Sequence, residues 1–114
     1  MRFPQSDRVK TRIEIDKVFK SGARFSCKGM RVHVLHNGMS RTRIALVPVR
    51  SYSGAVDRNR AKRVVREAWR LHRPSFNSGF DCVVVLFPGF DTLAERAAQL
   101  LLVLRQAGCL AKSC

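Results

Sequence analysis

Arg58-Asn59-Arg60-Ala61-Lys62-Arg63-Val64-Val65-Arg66-Glu67-Ala68-Trp69-Arg70 is the run of sequence on which the reading of this chain turns. Seven Lys or Arg residues fall in the sixteen positions from Arg58 to Arg73, with Glu67 as the one acid among them. At about 100° per residue, Ala61, Val64, Val65, Ala68 and Leu71 gather on one side of a helix. Asn59, Lys62, Arg63, Arg66 and Arg70 gather on the other. A solvated helix face usually mixes signs. Here Arg58, Lys62, Arg66 and Arg70 repeat the same charge at i,i+4, at a cost of roughly 0.2–0.5 kcal/mol per pair. Arg58 and Arg60 also stand near the helix start, where the macrodipole disfavours cations. A row of phosphates would relieve both conflicts. The face points to nucleic acid.

The rest of the composition agrees. The chain has 114 residues, a length that suits one domain over residues 1–114 with one core. A hydrophobic content of 46% excludes a disordered basic tail. The formal net charge is +14, from 22 Lys and Arg against 8 Asp and Glu, which calls for a polyanion. Residues 91–114 contribute only Arg96, Arg105 and Lys112 as cations, so the basic surface belongs to the earlier part of the chain. Cys27, Cys82, Cys109 and Cys114 form no CxxC pair and no zinc spacing with His. Cys82, inside Cys82-Val83-Val84-Val85-Leu86, reads as a small core residue. The first residues lack the apolar stretch of a signal peptide, and no run approaches the ~18 apolar residues of a membrane span. A cytoplasmic protein with reduced thiols is expected.

Outward from the basic helix, expected over Ala55 to His72, hydrophobic periodicity marks the other elements. Thr11-Arg12-Ile13-Glu14 has capping-box spacing for a helix to about Lys20, with Gly22 placed to stop it. Met30 to Leu35 alternates as a strand, and Arg43 to Val49 is a second. Asn37-Gly38 lies between them, which predicts an antiparallel hairpin. Pro48 inside the second strand removes a ladder donor and suggests an edge or a bulge. Phe80 to Phe87 reads as a buried strand. Asp91 or Thr92 caps a last helix closed by Gly108, with Leu93, Ala97, Leu100, Leu101 and Leu104 as its core stripe. The order α-β-β-α-β-α in so short a chain predicts an α+β protein, a two-layer α/β sandwich with the basic helix as a crossover between strands.

An active site is hard to assemble from these residues. A nuclease needs clustered acids or an acid–base set, yet Asp7, Glu14, Asp16, Asp57, Glu67, Asp81, Asp91 and Glu95 are scattered. His33, His36 and His72 form no ligand cluster, and no phosphate-cradling glycine loop is evident. No protein-held metal site is expected. The first helix and first strand offer a binding surface instead. Ile15 and Phe19 are i,i+4 neighbours flanked by Lys17 and Lys20. If Val32 and Val34 face the helical layer, Arg31 and His33 line the opposite side of the sheet beside that helix. Such a groove suits single-stranded nucleic acid; on spacing alone, Ile15 and Phe19 also fit a plain core. Tyr52 reads as a surface or rim residue, and Trp69 as core.

The run from Arg58 to Arg70 resembles the RNR motif of the bacterial ribonuclease P protein family. Asp16-Lys17-Val18-Phe19-Lys20-Ser21-Gly22 resembles that family's first helix and its stop. Ala55-Val56 resembles the lead into the motif, and Gly79-Phe80-Asp81-Cys82-Val83-Val84 the turn and strand after it. The resemblance implies an unusual left-handed βαβ crossover, in a fold like that of ribosomal protein S5 domain 2. It implies a subunit that binds a catalytic RNA and assists endonucleolytic removal of the 5′ leader from precursor tRNA. Chemistry would then belong to the RNA and its Mg2+, with the protein a monomer in a 1:1 complex. Arg58, Asn59, Arg60, Lys62, Arg63, Arg66 and Arg70, with Arg50 in the preceding loop, would meet the catalytic RNA. Ile15, Lys17, Phe19, Arg31 and His33 would line the leader cleft. Ile15 and His33 stand where the family commonly has aromatics. A structural RNA-binding protein, such as a ribosomal component, is the alternative that composition alone leaves open. A DNA-binding regulator would want mixed polar recognition residues in place of a nearly uniform Arg/Lys face.

Overall fold

Phe80–Leu86 is the most apolar strand of the chain, and its placement organises everything else. A computed structural model describes residues 12–38, 42–72 and 79–108. The elements run α1 (Arg12–Ser21), β1 (Ala23–Cys27), β2 (Met30–His36), β3 (Arg43–Pro48), α2 (Ala55–His72), β4 (Phe80–Leu86) and α3 (Leu93–Gln106). The strands form one sheet in the order β1-β2-β4-β3. β4 is antiparallel to β2, with Val32 opposite Val84, and parallel to β3, with Leu46 opposite Val84. α2 is therefore the crossover between two parallel neighbours, as the sequence predicts.

The expected hairpin between β2 and β3 does not form. A strand buried on both faces gains most at the sheet centre, and β4 is buried from Asp81 to Leu86. It displaces β3 to the edge, where the missing N–H of Pro48 costs no interior ladder bond. The Asn37 side chain donates to Asp81 Oδ1 at 2.8 Å, so it binds β4 and does not turn back towards β3. Sequence reading also missed β1. This strand pairs antiparallel with β2 across the two-residue turn Lys28-Gly29, where Gly29 takes φ +88°. The full order is thus α-β-β-β-α-β-α.

One face of the sheet packs under α2 and α3. Met30, Val32, Val34, Ile44, Cys82, Val84 and Leu86 meet Ala61, Val65, Ala68, Trp69, Leu100, Val103 and Leu104 there. The α2 stripe is rotated from the expected one. Trp69 is buried, while Leu71 is 50% exposed. The α3 stripe is altered too, because Arg96 is buried where an apolar residue would be expected, and Leu93 is exposed. Thr92 is the cap of α3, its hydroxyl accepting from the Glu95 N–H at 3.2 Å.

The other face carries α1 over a smaller core of Val18, Ala45 and Val83, with Ile15, Leu35 and Val47 against it. Gly22 ends α1 because the chain passes so close to β2. A Cβ there would lie 2.5 Å from the Val18 carbonyl oxygen and 2.8 Å from that of Val34. The cap proposed at Thr11 lies outside the described residues, as do Cys109 and Cys114. Cys82 is buried, and neither it nor Cys27 forms a disulfide among the described residues. Among the described residues, no helix is long and apolar enough to cross a membrane.

Candidate nucleic-acid interface

Burial of Ala61, Val65, Ala68 and Trp69 turns the opposite side of α2 outward. Asn59, Arg60 and Arg63 are exposed; Arg58, Lys62, Arg66 and Arg70 are half-buried along the flanks, where their alkyl stems cover apolar surface. Arg50 is exposed in the loop before the helix. Asp57 in the first turn accepts from the Ser53 hydroxyl, and Arg58 N–H donates to the Gly54 carbonyl at 3.0 Å. The like-charge series is interrupted at its end. Arg70 pairs with Glu67, its Nε donating to Oε2 at 3.0 Å. That hydrogen bond holds the Glu67 carboxyl below its ordinary range.

A second basic surface lies across the sheet. The alternation of β2 sends Arg31 and His33 to the face that α1 borders. Phe19 of α1 is 37% exposed and meets the His33 ring edge-on, with centroids 4.7 Å apart. Ile15 is half-buried at the foot of α1, and Lys17 is exposed. Thus Ile15, Phe19, Arg31 and His33 lie on the same side of the sheet, with Phe19 and His33 in contact, while Lys17 lines a neighbouring cavity with Glu14, His36, Arg43 and Asp81. Burial, then the charges of Arg31 and Arg24, push the His33 pKa down. The Arg31 guanidinium sits over the Phe87 ring, 5.7 Å from its centroid, a cation–π contact that aims it across the floor.

β1 extends this floor. Arg24 stands opposite His33 and Ser26 opposite Arg31. Arg24 and Ser26 went unnoticed in the sequence, and Phe87 was read only as a strand end, although Lys28-Gly29 between two alternating runs was the hairpin signal that would have revealed β1. Tyr52, read as a rim residue, is only 5% exposed and belongs to the core. Burial and a hydrogen bond to Asp91 push its phenol up to about 12.

Three of the acids, Glu14, Asp81 and Asp91, are held by arginines. Arg43 joins Glu14 of α1 to Asp81 of β4, its Nη2 lying 2.7 Å from an oxygen of each. Burial alone would raise the Asp81 pKa; the hydrogen bonds from Arg43 and Asn37 outweigh it and hold the carboxyl low. Asp91 accepts from Arg96. Among the described residues no group of three or more His, Cys, Asp or Glu side chains could hold a metal ion.

The geometry has close parallels. A family model described as Ribonuclease P matches residues 3–106. The ribonuclease P protein component of Desulfotalea psychrophila is 37% identical over 89 residues, covering 78% of this chain and 74% of that protein. The solved RNase P protein of Thermotoga maritima superposes with a TM-score of 0.78 at 28% identity, over 86% of this chain and 96% of that one. The Staphylococcus aureus RNase P protein shares the fold, with a TM-score of 0.82 at 21% identity over 92% and 98% of the two chains.

Proposed function

Because the chain belongs to the bacterial ribonuclease P protein family, the protein component of the ribonucleoprotein endonuclease that matures tRNA 5′ ends, we propose that its two basic surfaces divide that work. The outward side of α2, with Arg50, Arg58, Asn59, Arg60, Lys62, Arg63, Arg66 and Arg70, binds the catalytic RNA. The groove between α1 and the sheet, with Ile15, Lys17, Phe19, Arg31 and His33, takes the single-stranded 5′ leader of precursor tRNA. One observation carries this reading: α2 packs on one face of the sheet, while α1 and its groove lie on the other. One protein can therefore touch two RNAs at once.

The surfaces differ in chemistry as their targets do. Arg and Lys along α2 meet phosphates, releasing counterions and making assembly salt-dependent. In the groove, Phe19 and a neutral His33 offer ring faces and edges to unstacked bases, and Arg31 supplies charge to the backbone. The protein binds and positions. Mg2+ would arrive with the catalytic RNA, where it supplies charge neutralisation and activation of water at the scissile phosphate. The active particle is a 1:1 complex of this chain with that RNA.

Reconstitution with a bacterial ribonuclease P RNA tests the division. The protein should tighten binding of precursor tRNA with a long leader far more than of one whose leader is cut to a nucleotide or two. Equal tightening of both substrates would remove the leader from the groove.

A further inference from the structure

Arg96 of α3 has no exposed surface, and each of its guanidinium nitrogens donates. Nε and Nη2 reach Asp91 Oδ1 at 3.0 and 2.6 Å. Nη2 also reaches the Phe87 carbonyl at 2.6 Å and the Tyr52 hydroxyl at 2.9 Å. Nη1 reaches the Gly29 carbonyl at 2.8 Å and Gln99 Oε1 at 2.9 Å. The Tyr52 hydroxyl donates to the same Asp91 oxygen at 2.9 Å. One side chain thus fastens the β1–β2 turn, the end of β4, the start of α3 and the loop before α2.

A buried ion pair is a poor way to gain stability, since apolar residues of similar volume usually do as well. What an arginine adds is direction, and here it is directed at Tyr52. That residue is the single buried member of the loop from Arg50 to Gly54. The loop carries Arg50 and leads into α2, whose first turn ends at Arg58, a cation that opposes the helix dipole, and whose second turn carries Arg60. Left unanchored, this segment would have to be ordered by RNA at the moment of binding.

We propose that Arg96 and Asp91 form a lock on the Tyr52 hydroxyl, positioning Arg50, Arg58 and Arg60 for the catalytic RNA before it arrives. The lock rests on the reading that the outward side of α2 meets that RNA. Tyr52, Asp91 and Arg96 are positioning residues that need not touch RNA themselves.

Tyr52→Phe keeps the ring in the core and removes the hydroxyl. Gln99→Leu loosens Arg96 on the side of the β1–β2 turn, where Gln99 Nε2 donates to the Lys28 carbonyl at 2.8 Å. Both are compared with wild type for melting temperature, affinity for the ribonuclease P RNA across a salt series, and cleavage at saturating protein. For Tyr52→Phe, RNA affinity should fall about tenfold and the salt slope should become shallower by about one. Cleavage should recover once assembly is saturated. Gln99→Leu should lower the melting temperature while its RNA affinity and salt slope stay at wild type. Equal RNA defects in the two variants, an unchanged affinity in Tyr52→Phe, or failure of Tyr52→Phe to fold would each reduce the network to a structural staple and overturn the proposal. An Arg60→Ala, Arg63→Ala double variant run beside them separates the two levels. If it binds RNA normally, the assignment of α2 itself fails; if it is weakened while Tyr52→Phe is not, only the lock fails.

Discussion

Phe19 of α1 and His33 of β2 meet edge-on at 4.7 Å with their planes 68° apart, leaving the Phe19 ring partly open to the groove. The contact couples a helix residue to the sheet floor without sealing either ring away from a third. A base entering the groove can stack on what remains. Phe19→Ala should leave the fold intact and weaken long-leader precursor tRNA by roughly 1–3 kcal/mol. Binding titrations with long- and short-leader substrates check this; a variant that simply unfolds would mark Phe19 as core.

Two groups make stability depend on acid in the same direction but in different windows. His33 has a depressed folded pKa, so the unfolded chain binds more protons than the native one just below the ordinary value of about 6.5. Stability is full above that pH and falls as pH drops through it. Asp81 is depressed as well, and its contribution is lost as pH falls below about 4. Thermal melts of His33→Gln against pH should show the first decline flattened and the second retained.

Breaking the Glu14–Arg43–Asp81 bridge should have unequal effects. Asp81→Ala leaves Arg43 half-buried without its more buried, doubly bonded partner, and should cost about 3 kcal/mol. Glu14 is more exposed, so Glu14→Ala should cost under about 1 kcal/mol. Its effect should appear instead in leader binding, because α1 loses its tie to β3. Denaturant unfolding of the two variants settles the ranking.

Self-repulsion along α2 should be visible without RNA. Arg58, Lys62 and Arg66 repeat one charge at i,i+4, while Glu67 pairs with Arg70. The melting temperature of the free protein should therefore rise from low to moderate salt as the charges are screened. Glu67→Gln should steepen the rise. A flat profile in both proteins would mean the strain is negligible.

The free protein should cut no RNA. Glu14, Asp81 and Asp91 are held by arginines, and those partners would have to be displaced before any of the three could act in catalysis. Precursor tRNA incubated with highly purified protein and Mg2+ should remain whole until the RNA subunit is added.

Much of this molecule was legible in its residues because the deciding signals are local. The charge and apolar period of Ala55–His72 require only a helix to express them, and the cap at Thr92 forms with its own N3 residue. The alternation of Met30 to Leu35 already separates Val32 and Val34 from Arg31 and His33, which is why the two faces of this strand could be told apart from the sequence. Alternation assigns faces but says nothing of neighbours. That β4 enters between β2 and β3 depends on burial of Val83 to Leu86 against elements more than fifty residues distant. Arg24 and Ser26 join the groove only because β1 pairs beside β2. Tyr52 was misread, and Arg96 passed over, for the same reason. A charged residue and a loop tyrosine become core only when Asp91, Phe87 and Gly29 converge on them, and that convergence exists in three dimensions alone.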